Sequence, residues 1–347
     1  MLGLLLVACA GAGDPPPAPQ PQPALRIGLL LPPTEADADS ITQGAELAVR
    51  ELASRGTKVE LIVRGRPGQW GTEGDEAAVL VHEDRADAVL APALGASAHQ
   101  VLQVAGRTRV PVVSLCPDSS VTGPGIPWTL RIVPRSDEQA RAIIAALPPS
   151  GSPPRVAAVV PPERAGREAA RDLMAAAAAA GAELDAPIVW DAAEMVDSVA
   201  ARVRALEPAL TLLWVDGARA AATVKALTRA RHPGRVAVHG GLVTPEFSAA
   251  VQGSSAEILA AVPAGFGVDR EPAPNLTSAL SADAVRLLAE VLSRAGSSPS
   301  FLQFPLTNSF AGVTGPLRFD RYGNRVLELA VIRWRAGRWQ TVTASAP

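Results

Sequence analysis

The sequence predicts an α/β protein of two similar lobes, each built on a parallel sheet. Three observations carry this expectation. From Leu25 onward, short apolar runs alternate with amphipathic stretches of helical period. The apolar runs are continuous rather than alternating, as strands are when helices cover both faces of a sheet. The layout also repeats. RIGLLLPP (26–33) and RVAAVVPP (155–162) are each an apolar strand closed by two prolines, and each is followed by a helix entered at a glycine, Gly44 or Gly166.

LRIGLLL (25–31) is the first strand. Ser40 is read as the cap of the next helix, with Gln43 reaching back as in a capping box. Ile41, Ala45, Ala48 and Leu52 form its buried stripe, and Gly56 ends it. KVELIVR (58–64) is the second strand, and the acidic turn Glu73 to Glu76 opens the second helix. ADAVLAP (86–92) follows. Ser97 caps a helix to about Arg107, PVVSL (111–115) is the next strand, and TLRIVP (129–134) leads away from this half. In the second series, RVAAVV precedes a helix from Arg164 to Ala180 that ends at Gly181. PIVW (187–190), a helix from about Ser198 to Leu206, LTLLWV (210–215), a helix from Ala218 to Arg231, RVAVHG (235–240) and EILAAVP (257–263) complete it. A helix from about Ser281 to Arg294 comes next, capped by Ser281 and ended by Gly296. The tail from Gly315 to Trp339 carries the alternation and turn signals of a β-hairpin. Parallel sheets place ligands at the carboxyl ends of their strands.

The chain has 347 residues, with 32 basic against 34 acidic side chains. Lysine occurs only at 58 and 225, and no basic stripe interleaved with aromatics suggests nucleic acid. The N-terminus reads differently from the rest. Met1 to Ala8 is apolar and ends in Leu6-Val7-Ala8-Cys9, small residues before a cysteine. That pattern resembles the lipobox of bacterial lipoproteins, in which cleavage leaves an acylated cysteine as the new N-terminus; Cys9 is the expected lipid anchor. The stretch lacks the usual Lys or Arg before its apolar part, so the true start is expected further upstream. DPPPAPQPQPA (14–24) has six prolines and no large apolar side chain, which suits a semi-rigid polyproline spacer. With Cys9 acylated, Cys116 has no intrachain partner and reads as an inert core thiol.

No enzyme constellation is legible. Leu31-Pro32-Pro33-Thr34 stands where a dinucleotide fold needs glycines, and Gly95-Ala96-Ser97 is not a nucleophile elbow. His82, His99, His232 and His239 share no metal-ligand spacing, so neither a metal nor a cofactor is expected.

LRIGLLLPP…GAELAVRELASRG, ADAVLAP, PVVSL…TLRIVPRSDEQAR, RVAAVV and above all GVTGPLRFDRYGNRV (312–326) resemble the branched-chain amino-acid-binding (leucine-binding protein-like) group of type I periplasmic binding proteins. The resemblance runs from about Leu25 to Trp339. It implies two Rossmann-like α/β lobes with parallel sheets joined by three crossing segments, near 130–136, 262–268 and 318–326. Residues 1–24 would be signal remnant and tether, 25–134 with 264–320 the first lobe, and 135–263 with 321–347 the second. It further implies a lipid-anchored solute receptor on the periplasmic side of a bacterial envelope, touching the membrane through its anchor alone. Its partners would be a small solute and the permease of an ABC importer. The alternative is a non-transport envelope lipoprotein acting through a protein partner, like the activators of peptidoglycan synthases.

The ligand positions implied are Thr34, Leu94, Gly95, Ala96, Ser97, Cys116, Asp118, Ser119, Arg164, Asp216, Arg219 and Gly241. Several depart from the family pattern. After the third strand the hydroxyl residues that receive a carboxylate are reduced to Ser97 and the amides of Gly95 and Ala96. Asp118 stands where a threonine is common, Ala165-Gly166 replaces Tyr-Gly, and the acid that holds the ligand ammonium falls near Gly241. Asp118 and Asp216 are expected to face Arg164 and Arg219 across the cleft, unless these charges pair with one another or lie solvated on the rims. Recognition of leucine, isoleucine or valine is not expected.

Overall fold

The computed structural model describes residues 24–32, 35–65, 72–123, 128–149, 151–191, 193–268, 275–295 and 308–342. Cys9, Thr34 and Gly296 lie outside the described residues.

The first half alternates β1 (Leu25–Leu30), α1 (Glu35–Ser54), β2 (Val59–Arg64), α2 (Glu73–His82), β3 (Ala88–Ala91), α3 (Gly95–Thr108), β4 (Val112–Ser114) and β5 (Thr129–Arg131). Its five strands run parallel in the order β2-β1-β3-β4-β5. The second half comprises α4 (Ser136–Ala145), β6 (Arg155–Val160), α5 (Arg164–Ala179), β7 (Glu183–Leu184), β8 (Ile188–Val189), α6 (Val196–Ala205), β9 (Leu210–Leu213), α7 (Gly217–Arg229), β10 (Arg235–Val238), α8 (Pro245–Ala250) and β11 (Ile258–Pro263). α9 (Leu276–Ala295) and the hairpin β12 (Leu329–Arg335) with β13 (Arg338–Thr341) close the chain. The second sheet runs β13-β12-β11-β10-β9-β6-β7, with β8 also paired to β6. From β7 to β11 this repeats the strand order of the first sheet. The two sheets are separate, and the terminal hairpin joins the second one antiparallel to β11.

Burial explains the continuous apolar strands. β3 and β9 are buried along their whole length because helices lie on both faces. On the first sheet, α1 and α9 cover one face and α2 and α3 the other. On the second, Val156, Ala158 and Val160 point into the layer under α4 and α5, while Val159 joins the opposite layer with Val199, Val224 and Val238.

Three helix starts read from the sequence are corrected. α1 begins at Glu35, so Ser40 is inside the helix, buried, and accepts a hydrogen bond from Asn275 Nδ2 (3.0 Å). α9 begins at Leu276, and its first turn is closed by Asn275, whose Oδ1 accepts from the Ser278 amide (3.0 Å). Ser281 is fully buried and donates to the carbonyl of Ile41 (2.7 Å). Both serines therefore fasten α1 to α9 instead of capping a helix. α3 starts at Gly95, which puts Ser97 in its first turn and leaves no side-chain cap. α4 and α8, to which the sequence reading gave no element, are short helices whose apolar faces pack on the second lobe.

The closing motif binds three chain segments side by side. Arg131 of β5 bridges Asn324, and the Arg325 amide donates to the Arg131 carbonyl (3.0 Å). The Ala264 amide donates to the Glu328 carbonyl (2.9 Å), and a β-carbon on Gly265 would lie 2.5 Å from Gly315 Cα. Gly315 takes φ +100°, a conformation that side chains resist. Buried Asp283 of α9 accepts from the amides of Val313 (2.7 Å) and Thr314 (3.0 Å) and from Thr314 Oγ1 (2.6 Å). The buried Arg325 guanidinium donates to Thr314 Oγ1 (2.8 Å) and to the carbonyls of Thr314, Gly315 and Pro316. The motif is thus a structural junction, built where the halves meet.

Candidate functional site

In each sheet the strand order reverses direction beside its first strand, between β1 and β3 and between β6 and β9. Such switch points leave crevices at the carboxyl ends of the strands. The loops there carry the predicted positions. Leu94, Gly95, Ala96 and Ser97 follow β3, and Cys116, Asp118 and Ser119 follow β4. Arg164 follows β6, Asp216 and Arg219 follow β9, and Gly241 follows β10.

On the first lobe, Gly95, Cys116 and Asp118 come together. A β-carbon on Gly95 would lie 3.0 Å from Asp118 Oδ2 and 3.7 Å from Cys116 Sγ. Asp118 caps the 3-10 turn at 119–121, its Oδ1 accepting from the Ser120 amide (2.8 Å). Its carbonyl accepts from Nη1 of buried Arg131 (2.7 Å), so the loop is tied to β5. Ser97 is fully buried and its hydroxyl donates to Glu73 Oε1 (2.9 Å). Leu94 is half-buried and Ala96 exposed at the helix start. Glu73, read from the sequence only as the acidic start of α2, is a neighbour of the candidate site that reading missed. The two residues lie 24 positions apart, and only packing of α2 on α3 joins them.

Ser119 points to the other lobe. Its hydroxyl donates to Asp172 Oδ1 of α5 (2.8 Å), and Arg171 Nη2 donates to the Ser119 hydroxyl (3.2 Å). Burial raises the Asp172 pKa, opposed by the Ser119 hydrogen bond. His99 Nε2 is 2.8 Å from the Ser120 hydroxyl. Burial, and then the Arg164 charge, hold the His99 pKa below the usual imidazole range. Arg164 is exposed, and no hydrogen bond or ion pair joins it to Asp118 among the described residues.

On the second lobe Asp216 and Arg219 pair with one another, one of the arrangements the sequence left open. Asp216 caps α7, with Oδ1 accepting from the Arg219 amide (2.9 Å). Its other oxygen lies 3.5 Å from Arg219 Nη1, so the two charges pair along one helical turn. The Arg219 guanidinium also stands 5.8 Å from the centre of the Trp190 ring. Gly241 is at the 3-10 turn after β10, its carbonyl facing Thr277 Oγ1 of α9 (3.4 Å). The Gly240 amide donates to Gln139 Oε1 (2.7 Å), and a β-carbon there would lie 2.6 Å from the Ala261 carbonyl, so only glycine fits. His239 packs beside Trp214, ring centres 6.0 Å apart, and burial lowers its pKa.

Cys116 is buried and unpaired, and desolvation pushes its thiol up to about 12. A thiol this protonated is a poor nucleophile at neutral pH. A Cys9→Ala protein, native at pH 8, should leave Ellman's reagent unreacted over an hour, with full reaction in denaturant; rapid native labelling would refute the buried placement of Cys116. Among the described residues there is no cluster of metal-binding side chains, and no helix is long and apolar enough to cross a membrane.

Two α/β lobes on parallel sheets, crossed by three adjacent segments with loops converging between them, define a two-lobed binding protein. The family model for periplasmic binding proteins matches residues 24–267, and the chain belongs to that family. The fold is that of the type I periplasmic binding proteins. A leucine binding protein, LivK, from Thermotoga maritima MSB8 superposes with TM-score 0.81 at 16% identity, covering 92% of this chain and 98% of its own. An ABC-transporter solute binding protein from R. palustris, in complex with benzoate, superposes at TM-score 0.79 and 18% identity, covering 94% and 97%. LivJ from Streptococcus pneumoniae, in complex with isoleucine, superposes at 0.77 and 17%, covering 92% and 99%. At these identities the likeness speaks to the fold. No curated protein matches the sequence. The family consists of extracytoplasmic binding proteins, not enzymes.

Proposed function

We propose that the protein is a lipid-anchored solute receptor on the periplasmic side of a bacterial envelope, delivering a small polar solute to an ABC importer. The observation that supports this reading best is that the 94–97, 116–119, 164–166, 214–219 and 239–241 segments each follow the carboxyl end of a strand in one of two parallel sheets, in a chain of the periplasmic binding protein family. The lobes divide at the junction, with 25–134 and 264–320 on one side and 135–263 and 321–347 on the other. Closure about the junction would clamp the solute. Purification from the host followed by native mass spectrometry tests the reading. A bound small molecule that is lost on unfolding supports it, and an empty protein throughout overturns it.

The anchor is tested separately. Cys9→Ala should move the protein from the membrane to the periplasmic fraction, since stable anchoring takes more than one acyl chain. Identical fractionation of both forms would refute acylation at Cys9.

A second reading, an envelope lipoprotein that works through a protein partner, is favoured by the bonds Ser119–Asp172 and Arg171–Ser119, which engage the Ser119 hydroxyl within the protein. Copurification with a peptidoglycan synthase and no small molecule would select it.

A further inference from the structure

A cavity of about 200 Å³ opens in the second lobe, away from the loops described above. Leu227 and Thr228 of α7, Arg231 in the turn after it, Val236 near the start of β10, and Ser255 and Ala256 just before β11 line it. The 164–166, 214–219 and 239–241 segments follow the carboxyl ends of this sheet's strands, whereas the cavity lies at the amino ends of β10 and β11.

Its wall has two parts. Leu227 and Val236 are buried and Ala256 is half-buried, which gives an apolar floor. Of the polar groups, the Thr228 hydroxyl donates to the Val224 carbonyl (2.8 Å) and lies 2.8 Å from Ser254 Oγ, which accepts from the Ala256 amide (3.2 Å). These groups are already engaged. Arg231 and Ser255 are not: both are exposed, and among the described residues neither side chain has a hydrogen bond or ion pair. No carboxylate lines the cavity, and Glu257, beside Ala256, is paired with Arg235 (3.7 Å). The ring of His232 closes the wall. Burial, and then the Arg204 charge, lower its pKa, so it stays neutral at pH 7 and the fixed charge of the lining is that of Arg231.

A guanidinium in open water gains little from a lone anion. Beside an apolar floor the effective dielectric falls, and the same pair attracts more strongly. Ligand sites combine such a floor with a few polar groups that fix orientation. A cavity of about 150 Å³ takes up benzene, so a short-chain organic acid has room here. An ammonium would be repelled by Arg231.

We infer that this cavity is a second ligand site, which takes a small organic carboxylate. Its oxygens meet Arg231 and Ser255, and its hydrocarbon part lies on Leu227, Val236 and Ala256. The site is independent of the reading of the chain as a solute receptor.

Isothermal titration of the full chain with sodium butyrate, and with butylamine and inorganic phosphate for comparison, decides it. Butyrate should bind saturably in the millimolar range and more tightly than either of the others. Arg231→Gln removes an exposed charge and should weaken butyrate about tenfold, the usual worth of a charge-assisted hydrogen bond. Arg231→Lys should restore part of that loss, and Ser255→Ala should weaken binding by about threefold. An affinity unchanged by Arg231→Gln would put butyrate elsewhere, the cleft included; that overturns the inference and leaves the receptor reading standing. Butylamine binding as tightly as butyrate overturns it, because the lining charge would then decide nothing. Equal binding of phosphate does so too, since the apolar floor would contribute nothing. Butyrate that fails to saturate also overturns it. Should Arg231→Gln fail to fold, the order of the three affinities in the wild type still decides.

Discussion

Replacing Asp283 by alanine is expected to lower the thermal midpoint by about 10 °C, from a loss of roughly 3–5 kcal/mol. Asp283 has no exposed surface, and its carboxylate takes three hydrogen bonds from the 313–314 turn and one from Arg286 Nη1 (3.1 Å). Alanine would leave the buried Thr314 amide and the part-buried Val313 amide without an acceptor, and a buried donor left unpaired costs about 1–3 kcal/mol. Arg286 would retain Glu51 (2.6 Å). Thr314 also holds Arg325, so damage should spread to the junction of the three crossing segments. Asp283→Asn keeps one acceptor oxygen and should lose less. Thermal unfolding followed by circular dichroism reads this directly, and a fall of under about 3 °C for the alanine variant would sink the argument.

The second large effect is expected at Gly44. A β-carbon there would lie 2.0 Å from the Ser278 carbonyl oxygen and 2.9 Å from Ser278 Cα, so α1 and α9 meet backbone to backbone. No rotamer relieves a clash with a main chain. Gly44→Ala must push the helices apart, which loosens the layer over one face of the first sheet and the Ser281–Ile41 hydrogen bond. We expect a loss of about 3 kcal/mol, the upper part of the range for overpacked sites. Gly106, late in α3, has nothing within 4 Å of its would-be β-carbon. Gly106→Ala should therefore stabilise by about 0.5–1 kcal/mol through backbone entropy alone. Urea midpoints of the two variants should move in opposite directions; equal shifts would refute the close helix contact.

The alternation of strands and helices, the repeated layout and the terminal hairpin were legible because hydrophobic period and Gly/Pro punctuation are local signals. The strand at 25–30 and the one at 155–160 fall where their apolar runs are. Gly56 and Gly181 do adopt the positive φ that their helix-ending positions suggested. Helix starts were less legible. Ser40 and Ser281 each precede an apolar stripe, as caps do, yet each is an interior residue of a longer helix. A serine that caps and a serine that fastens two helices have the same local surroundings. What differs is the partner, Asn275 for one and Ile41 for the other, both more than 200 positions away.

The candidate site divides in the same way. The sequence by itself determined which loops share an edge, since in a parallel sheet every βα loop lies at the carboxyl ends of the strands. Only the tertiary structure decided what those loops do with their polar groups. Packing of α2 on α3 brings Glu73 to the Ser97 hydroxyl, and approach of α5 brings Asp172 to Ser119. Asp216 instead closes on Arg219 within its own helix, three residues on. A hydroxyl or carboxylate has too few hydrogen bonds to serve every neighbour. Which neighbour it takes is set by distances between residues far apart in the chain, and those distances exist only once the helices have packed.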